Sequence, residues 1–272
     1  MRRRSLLVLG LVLGVWLASA QDALGAGPKR GGTLTVVHGV DISNFDVQSA
    51  PGYEVVWINM NIHNSLLTLD KDLQPVPDLA QRWEVSPDGL VYTFYLQEGV
   101  KFHDGTDMDA QAVKWNFDHM MDPQTRAATR VFYTDVQALE VVDRHTVRFV
   151  LQEPNYLFPL VVAGYRLGFP MSSPTAFETM SEQERRLHPV GTGPFKLLEW
   201  VPNDHVTLVR NEHYWKKGLP YLDKIIFKVL NDPISQVSAL KAGEVDMLNS
   251  MSPEEPTWKE VGKGHYTACH LY

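Results

Sequence analysis

The pair His103-Asp104 is the strongest candidate for acid–base or metal chemistry in this sequence. An imidazole beside a carboxylate can exchange protons or bind a cation. The pair lies in the phrase FHDGT (102–106), however, and an Asp-Gly step is typical of a tight turn that needs a positive φ. We therefore predict that His103 and Asp104 end a strand and form a turn, with no catalytic or metal-binding part.

Other patterns that carry chemistry are absent from the sequence. Six further histidines lack the HExxH or CxxC-type spacing of a metal site: His38, His63, His119, His188, His205 and His213. The stretch 191–196 lacks the spacing of a phosphate loop, and Pro194 removes an amide donor that such a loop would need. There is no GxSxG elbow and no GxGxxG after a strand. The carboxylates are scattered, so a glycosidase-type pair stays open but none is singled out. We predict no catalytic residue, no metal site and no cofactor.

Strands and helices are predicted to follow one another in mixed order, which indicates an α/β to α+β fold with a sheet covered by helices. Alternating or β-branched runs predict strands at 33–38, 80–85, 91–96, 136–142, 146–151, 195–200, 206–210, 224–230 and 245–248. The stretch 69–77 is predicted to be a break. Apolar periodicity and capping residues predict helices at 55–67, 110–122, 158–162, 174–187 and 233–240.

The N-terminus has the pattern of a secretory signal peptide. Three arginines at 2–4 precede an uncharged, mostly apolar run at 6–17, and the small residues Ala18, Ser19 and Ala20 follow. We expect cleavage after Ala20, with Ala26 as the second choice, and the general and twin-arginine export routes both stay open. A membrane anchor is the weaker interpretation, because a spanning helix needs about 20 apolar residues.

Cysteine content and net charge further limit the classes of protein that the sequence can belong to. The only cysteine is Cys269, so we expect no internal disulfide and no lipid-modified N-terminus. Removal of residues 1–20, which hold three arginines and no acid, takes the formal charge from -7 to -10. So acidic a chain is a poor candidate for binding nucleic acid. We therefore expect a periplasmic protein that is not lipid-anchored.

A series of short phrases gives the sequence a family resemblance. They are GGTL (31–34), a phrase from Ser65 to Glu84, YTF (92–94) leading to FHDGT, GTGPFK (191–196), NEHYWKKGLPYLDKI (211–225) and LKAGEVDM (240–247). In this order they resemble the extracytoplasmic solute-binding proteins of family 5, the oligopeptide, dipeptide and nickel-type receptors of ABC importers. Two departures occur, at Phe45-Asp46-Val47 and at Gln111-Ala112-Val113, and both fall in supporting structure.

The resemblance implies a type 2 periplasmic binding protein fold, in which two lobes close on a ligand. It implies a first lobe with a mixed sheet and an inserted subdomain, and a chain truncated before the second lobe. The implied parts are a signal peptide (1–20), a flexible lead-in (21–32), the first part of lobe I (33–60), the inserted subdomain (61–188), the core sheet of lobe I (189–250) and the start of the crossing to lobe II (251–272).

The function implied is that of a periplasmic substrate-binding component of an ABC importer. Its expected partners are a peptide, a metal chelate or another small solute, and a permease in the inner membrane; we expect a monomer that binds no nucleic acid. The residues that match cleft-facing positions are Asp41, Ile42, Ser43, Thr192, Leu248, Asn249 and Ser250. Asp41 could meet a cationic group, and Asn249 and Ser250 could bond a ligand backbone, although purely structural turns remain open for each of them and for Thr192.

Two alternatives come from other classes of protein. One is a secreted hydrolase of unrecognised fold, which the scattered carboxylates leave open. The other is a sensor or chaperone that uses the same scaffold without transport. If the chain is half of a two-lobed receptor, we expect it to bind solute weakly by itself.

Overall fold

The computed structural model describes residues 28–47, 53–163 and 168–249. The predicted signal peptide, Cys269, Ser250 and the segment 251–272 lie outside these residues. Within the described part of the chain, no helix combines the length and apolar character that crossing a membrane requires.

A five-stranded mixed sheet forms the first layer, in the order β11-β1-β10-β9-β8. Its strands are β1 (Thr33–His38), β8 (Phe195–Val201), β9 (His205–Arg210), β10 (Lys224–Val229) and β11 (Met247–Leu248). The strand β1 runs parallel to both β10 and β11, whereas β9 pairs antiparallel with β8 and with β10. The predicted strand 245–248 starts only at Met247, because the Asp246 carboxylate accepts a hydrogen bond from the Thr35 amide at 2.8 Å.

Helices cover both faces of this sheet because the residues of β1 alternate between them. Val36 packs with Ile58 of α1 (Tyr53–Ile62), and Val37 packs with Ala239 of the helix Pro233–Ala242. That second helix begins at Asp232, whose side chain accepts from the Ser235 amide, and it ends at Gly243 with φ +74°. The start agrees with the helix predicted at 233–240, and the helix continues to Ala242 before Gly243 ends it.

A second, four-stranded antiparallel sheet has the order β4-β5-β7-β6. Its strands are β4 (Ala80–Val85), β5 (Val91–Leu96), β6 (Val136–Asp143) and β7 (Thr146–Leu151). The four strands predicted here are confirmed and form two hairpins, in one of which Trp83 lies opposite Phe94 and Val85 opposite Tyr92. The helix α2 (Ala110–Met121), capped by the Asp109 side chain, covers one face of this sheet.

A small strand pair corrects the prediction of a break at 69–77. The strand β2 (Leu67–Leu69) pairs antiparallel with β3 (Pro75–Pro77), so the two form a separate two-stranded sheet. The prolines fit β3 because a strand with a single neighbour leaves alternate amides without a ladder partner.

The remaining helices also differ from prediction. They are α3 (Phe158–Ala163), α4 (Pro174–Thr179), α5 (Glu182–Leu187) and α6 (Pro233–Ala242). The single helix predicted at 174–187 is two, because the Ser181 hydroxyl and the Glu184 carboxylate form a capping box that starts α5. Two unpredicted 3-10 turns, Pro123–Thr125 and Ala128–Tyr133, follow α2.

The two larger sheets meet where α1 ends. The prediction extended α1 to 67, but Gly193 donates its amide to the Ile62 carbonyl oxygen at 2.8 Å and occupies the place of a further helical turn. A Cβ atom added at Gly193 would lie 2.5 Å from the Ile62 carbonyl carbon, and one added at Gly191 would overlap the Ile62 oxygen. Only glycine therefore fits at either position of this turn.

The Gly193→Ala substitution should lower the free energy of unfolding by at least about 2 kcal/mol, since the added methyl group overlaps backbone that cannot move freely. Urea unfolding measures this loss. Gly39→Ala is the matched control, because its nearest atom, Gln236 Nε2, lies 3.5 Å from the added Cβ. Equal urea midpoints for the two variants would contradict the steric argument.

Candidate functional site

Three parallel strands end at one edge of the five-stranded sheet. The residues that follow β10 and β11 donate backbone hydrogen bonds to the end of β1. The Leu230 amide donates to the His38 carbonyl oxygen at 3.1 Å, and the Asn249 amide donates to the Val37 carbonyl oxygen at 3.2 Å. We call residues 38–43, 230–232 and 248–249 the carboxyl edge. Open sheets that contain parallel strands bind ligands outside such an edge, so it is the candidate ligand site.

Asp41 lies on the carboxyl edge, but protein donors engage its carboxylate. Trp200 Nε1 donates to Oδ1 at 3.1 Å, the Asn203 amide donates to Oδ2 at 2.6 Å, and the Ile42 amide also donates to Oδ1. These bonds tie the loop after β1 to the β8–β9 hairpin. Ile42 is buried in the core beside this sheet, whereas Ser43 is exposed.

The predicted residues near β11 sit on the same edge. Leu248 pairs with Val37 and is half-buried, and Asn249 follows it with a half-buried side chain. Ser250 lies outside the described residues. The structure thus brings Asp41, Ser43 and Asn249 to one edge of one sheet.

Thr192 is elsewhere. Its side chain is fully buried, and its hydroxyl donates to Asn64 Oδ1 at 3.2 Å while accepting from the Asn64 amide at 3.3 Å. It therefore belongs to the contact between the two sheets rather than to the exposed edge.

Sequence reasoning missed two residues on the carboxyl edge. Val40 is 55% exposed in the loop after β1, and His38, at the end of β1, is only 3% exposed. The available signal was the period of two in β1, which puts His38 on the same face as the buried Val36.

The phrase FHDGT forms the predicted turn. The Phe102 amide donates to the Thr106 carbonyl oxygen at 2.9 Å, and Gly105 has φ +87°. The Asp104 carboxylate accepts from the hydroxyls of Thr106 and Ser173. Burial alone would raise the pKa of Asp104, but these hydrogen bonds lower it. The carboxylate is thus held ionised within the turn.

Two histidines, the buried His63 and the half-buried His103, flank the glycine turn. His103 Nε2 lies 3.0 Å from the Gly193 carbonyl oxygen, and its Nδ1 has no hydrogen-bond partner among the described residues. Burial lowers the pKa of His103 to about 4. Burial, followed by the neighbouring His103, lowers the pKa of His63 to about 3. Both rings are therefore neutral near pH 7, and His103 donates its one N–H to Gly193.

A buried polar network joins residues that are far apart in sequence. The Asp78 carboxylate, which is almost fully buried, pairs with Lys216 Nζ at 2.5 Å and accepts from Asn64 Nδ2 at 3.0 Å. Asn64 Oδ1 in turn accepts from Trp215 Nε1 at 3.4 Å and from Thr192. Burial raises the pKa of Asp78 although Lys216 and Asn64 act to lower it. We call these five residues the junction network.

An open crevice lies between residues 45–47 and the helices α2, α4 and α5. Its rings contact one another, since Trp115 stacks on His119 with centroids 5.0 Å apart and Phe177 meets both rings edge to face. No group of three His, Cys, Asp or Glu side chains in the described ranges is arranged to hold a metal ion.

The family model for bacterial extracellular solute-binding proteins, family 5 (middle region), matches residues 74–265. The chain belongs to this family. The match includes Asp78, His103, Thr192, Lys216 and Asn249, and it begins after the loop that follows β1. The predicted family and fold class are confirmed.

Relatives of family 5 support the same assignment. The glutathione-binding protein GsiB of Shigella flexneri is 36% identical over 203 residues, which are 75% of this chain and 39% of GsiB. The DppA periplasmic binding protein of Helicobacter pylori, solved with the peptide STSA, has a TM-score of 0.71 at 29% identity over 80% of this chain and 46% of DppA. AgaA of A. tumefacien R10, solved with agropinic acid, has a TM-score of 0.73 at 31% identity over 79% of this chain and 43% of AgaA. The chain spans less than half the length of these relatives.

The family phrases have a physical explanation in the junction. The GTGP turn supplies Thr192 and the two glycines, the NEHYWK phrase supplies Trp215 and Lys216, and the FHDG turn supplies His103. These residues hold the two sheets together, and the carboxyl edge lies on one of those sheets.

Loss of Lys216 should cost more stability than loss of the charge on Asp78. Lys216→Met leaves a buried carboxylate without its cation, and we expect a loss of about 2–4 kcal/mol in the free energy of unfolding. Asp78→Asn leaves an ammonium group whose side chain is 33% exposed and can rehydrate, so about 1 kcal/mol is expected. Lys114→Met, which breaks an exposed i,i+4 pair with Asp118, is the control and should cost under about 0.5 kcal/mol. Urea unfolding near pH 7.5 tests the order, and the reverse order would refute it.

His63 and His103, whose pKa values are both lowered, should make the protein sensitive to acid. The unfolded chain binds protons at histidine below about pH 6.5, whereas folded His103 does so only at about 4. Stability should therefore fall as pH drops from 6.5 towards 4, by up to about 1.4 kcal/mol per pH unit for each of these two histidines. His103→Gln keeps an N–H donor for Gly193 and should flatten this slope. His213→Gln at an exposed site should leave the slope unchanged. Identical slopes for wild type and His103→Gln would contradict the assignment.

Proposed function

We propose that this chain is the solute-binding component of an ABC importer: it holds a small solute outside the cytoplasmic membrane, delivers it to a permease and performs no chemical conversion. The observation that carries the proposal is the family 5 match together with a mixed sheet whose parallel strands end at an exposed edge. A family of solute-binding proteins supports binding rather than catalysis.

The solute class follows from the relatives. They include a glutathione-binding protein, a protein in complex with the peptide STSA and a protein in complex with agropinic acid. NikZ of Campylobacter jejuni, a further structural neighbour at 25% identity and a TM-score of 0.68, was solved with Ni(L-His). We therefore propose that the solute is a peptide or a related small molecule, with a metal chelate as the second candidate.

The proposed division of the chain places the core of lobe I in residues 33–60 and 189–250 and the inserted subdomain in residues 61–188. Two separate hydrophobic clusters, one beside each of the larger sheets, support this division. Residues 251–272 would lead to a second lobe, and residues 1–20 would direct export to the periplasm as a cleaved signal peptide. Action as a monomer is part of the same proposal.

Within the carboxyl edge, we assign solute contact to the exposed or half-exposed residues. Ser43, Leu248 and Asn249 keep the role predicted for them, Val40 is added, and the role of Ser250 stays a prediction. The other predicted residues support this surface from below. Asp41 ties the loop to the β8–β9 hairpin, Ile42 fills the core and Thr192 holds the junction.

Native mass spectrometry of the protein purified from the periplasm, followed by calorimetric titration with glutathione and with a mixed tripeptide pool, tests the function. We expect a non-covalent adduct or saturable binding, and no product after prolonged incubation. Conversion of either probe to product would refute the proposal, and so would an absence of binding in both the chain and a version extended by a second lobe.

A pair of matched variants tests the location of the site. Val40 and Val142 are similarly exposed, at 55% and 47%, but Val40 lies in the loop after β1 whereas Val142 lies in β6 of the other sheet. Val40→Arg should weaken solute binding at least about tenfold, because a bulky charge enters the carboxyl edge, whereas Val142→Arg should leave binding unchanged. Equal affinities would place the site elsewhere.

A further inference from the structure

The buried ring of His38 contacts two backbone carbonyl groups. Its Nδ1 lies 2.7 Å from the Val40 carbonyl oxygen, and its Nε2 lies 2.8 Å from the Glu54 carbonyl oxygen. Val40 belongs to the loop of the carboxyl edge, and Glu54 to the first turn of α1. The edge of Phe227, with ring centroids 6.2 Å apart and planes at 74°, packs against the same imidazole. The ring is thus held between a loop, a helix and a strand.

The protonation of this ring follows from its partners. A carbonyl oxygen can only accept a hydrogen bond, so a ring nitrogen bonds to it only by donating an N–H. A neutral imidazole has one N–H and would direct a lone pair at the other carbonyl oxygen, whereas an imidazolium donates at both nitrogens. His103 gives the contrast within this chain, since only one of its nitrogens meets a carbonyl oxygen and the other has no partner among the described residues.

We propose that His38 is a positioning residue of the carboxyl edge: as an imidazolium, it clamps the loop after β1 to the start of α1. The two bonds are charge-assisted and therefore stronger than those of a neutral ring. They offset part of the cost of burying a cation. Because Val40 lies between His38 and the predicted residues Asp41 to Ser43, the clamp sets where that loop leaves the sheet.

The link between this clamp and solute binding rests on the proposed function, but the charge on His38 and the clamp itself do not. Nitrogen NMR of the full chain labelled with ¹⁵N-histidine measures protonation directly, with His38→Gln to assign the signals. Near pH 7, where an exposed histidine is mostly neutral, we expect both ring nitrogens of His38 to carry protons and His103 to carry one. A His38 ring with a single proton would overturn the inference.

Hydrogen exchange tests the clamp. His38→Phe keeps an aromatic ring against Phe227 but has no donor, and it should speed amide exchange across residues 39–46 by at least about tenfold. His38→Gln has two N–H groups on one nitrogen and should restore part of the protection. His213→Phe at an exposed site is the control, and protection of residues 80–96 checks that each variant is folded.

Unchanged exchange in a folded His38→Phe variant would refute the clamp. If that variant does not fold, the smaller substitution His38→Gln and the NMR result on the wild-type chain decide the matter. The calorimetric titration reports on solute binding alone, so failure of the proposed function and failure of this inference remain distinguishable.

Discussion

The whole arrangement depends on a close backbone contact between the turn at residues 191–194 and the end of α1. The Gly193 amide bonds the Ile62 carbonyl oxygen, and neither Gly191 nor Gly193 has space for a side chain. This contact ends α1 and brings the two larger sheets together. A steric constraint of this kind has no partial solution, because a methyl group that overlaps backbone must move a whole element.

Polar groups complete the contact and make it specific. Asp78 pairs with Lys216 and bonds Asn64, which also accepts from Trp215 and Thr192. A buried ion pair gains little net stability because both charges lose water, and the raised pKa of Asp78 fits that balance. The ion pair instead determines how the two sheets are placed, because only one placement satisfies all of these polar groups together. The neutral His103 adds a further bond to Gly193 on the other side of the turn.

The junction and the carboxyl edge differ in burial and in bonding. The junction holds residues of the family phrases, which are buried or half-buried and bonded to one another. Apart from the buried His38 and Ile42, the edge holds residues that are exposed or half-exposed, at the ends of parallel strands, where ligands bind in sheets of this kind. Asp41 links the edge to the β8–β9 hairpin, and His38 links it to α1. Both links hold the loop after β1 against rigid elements.

Much of the fold could be predicted because its signals are local. Strand alternation located β1, β5 and β7, and capping residues such as Asp109 and Asp232 located the starts of α2 and α6. Errors arose where a distant segment intervened. The helix α1 stops at Ile62 because the glycine turn meets it, and the break at 69–77 contains a strand because β2 and β3 pair. The split between α4 and α5 was local in origin, and the Ser181 and Glu184 capping box was its overlooked signal.

For the site, the sequence determined the family phrases and the residues that follow the strands. Only the tertiary structure decided which of these residues share a surface. Thr192 is buried against Asn64, while Ser43 and Asn249 lie on one edge. Asp78 and Lys216 are separated by 138 positions yet form a pair. Hydrophobic periodicity and helix capping involve residues that are close in sequence, so the sequence shows them directly. Burial and ionic pairing depend instead on which elements pack together, and the packing must satisfy the contacts of all these elements at once.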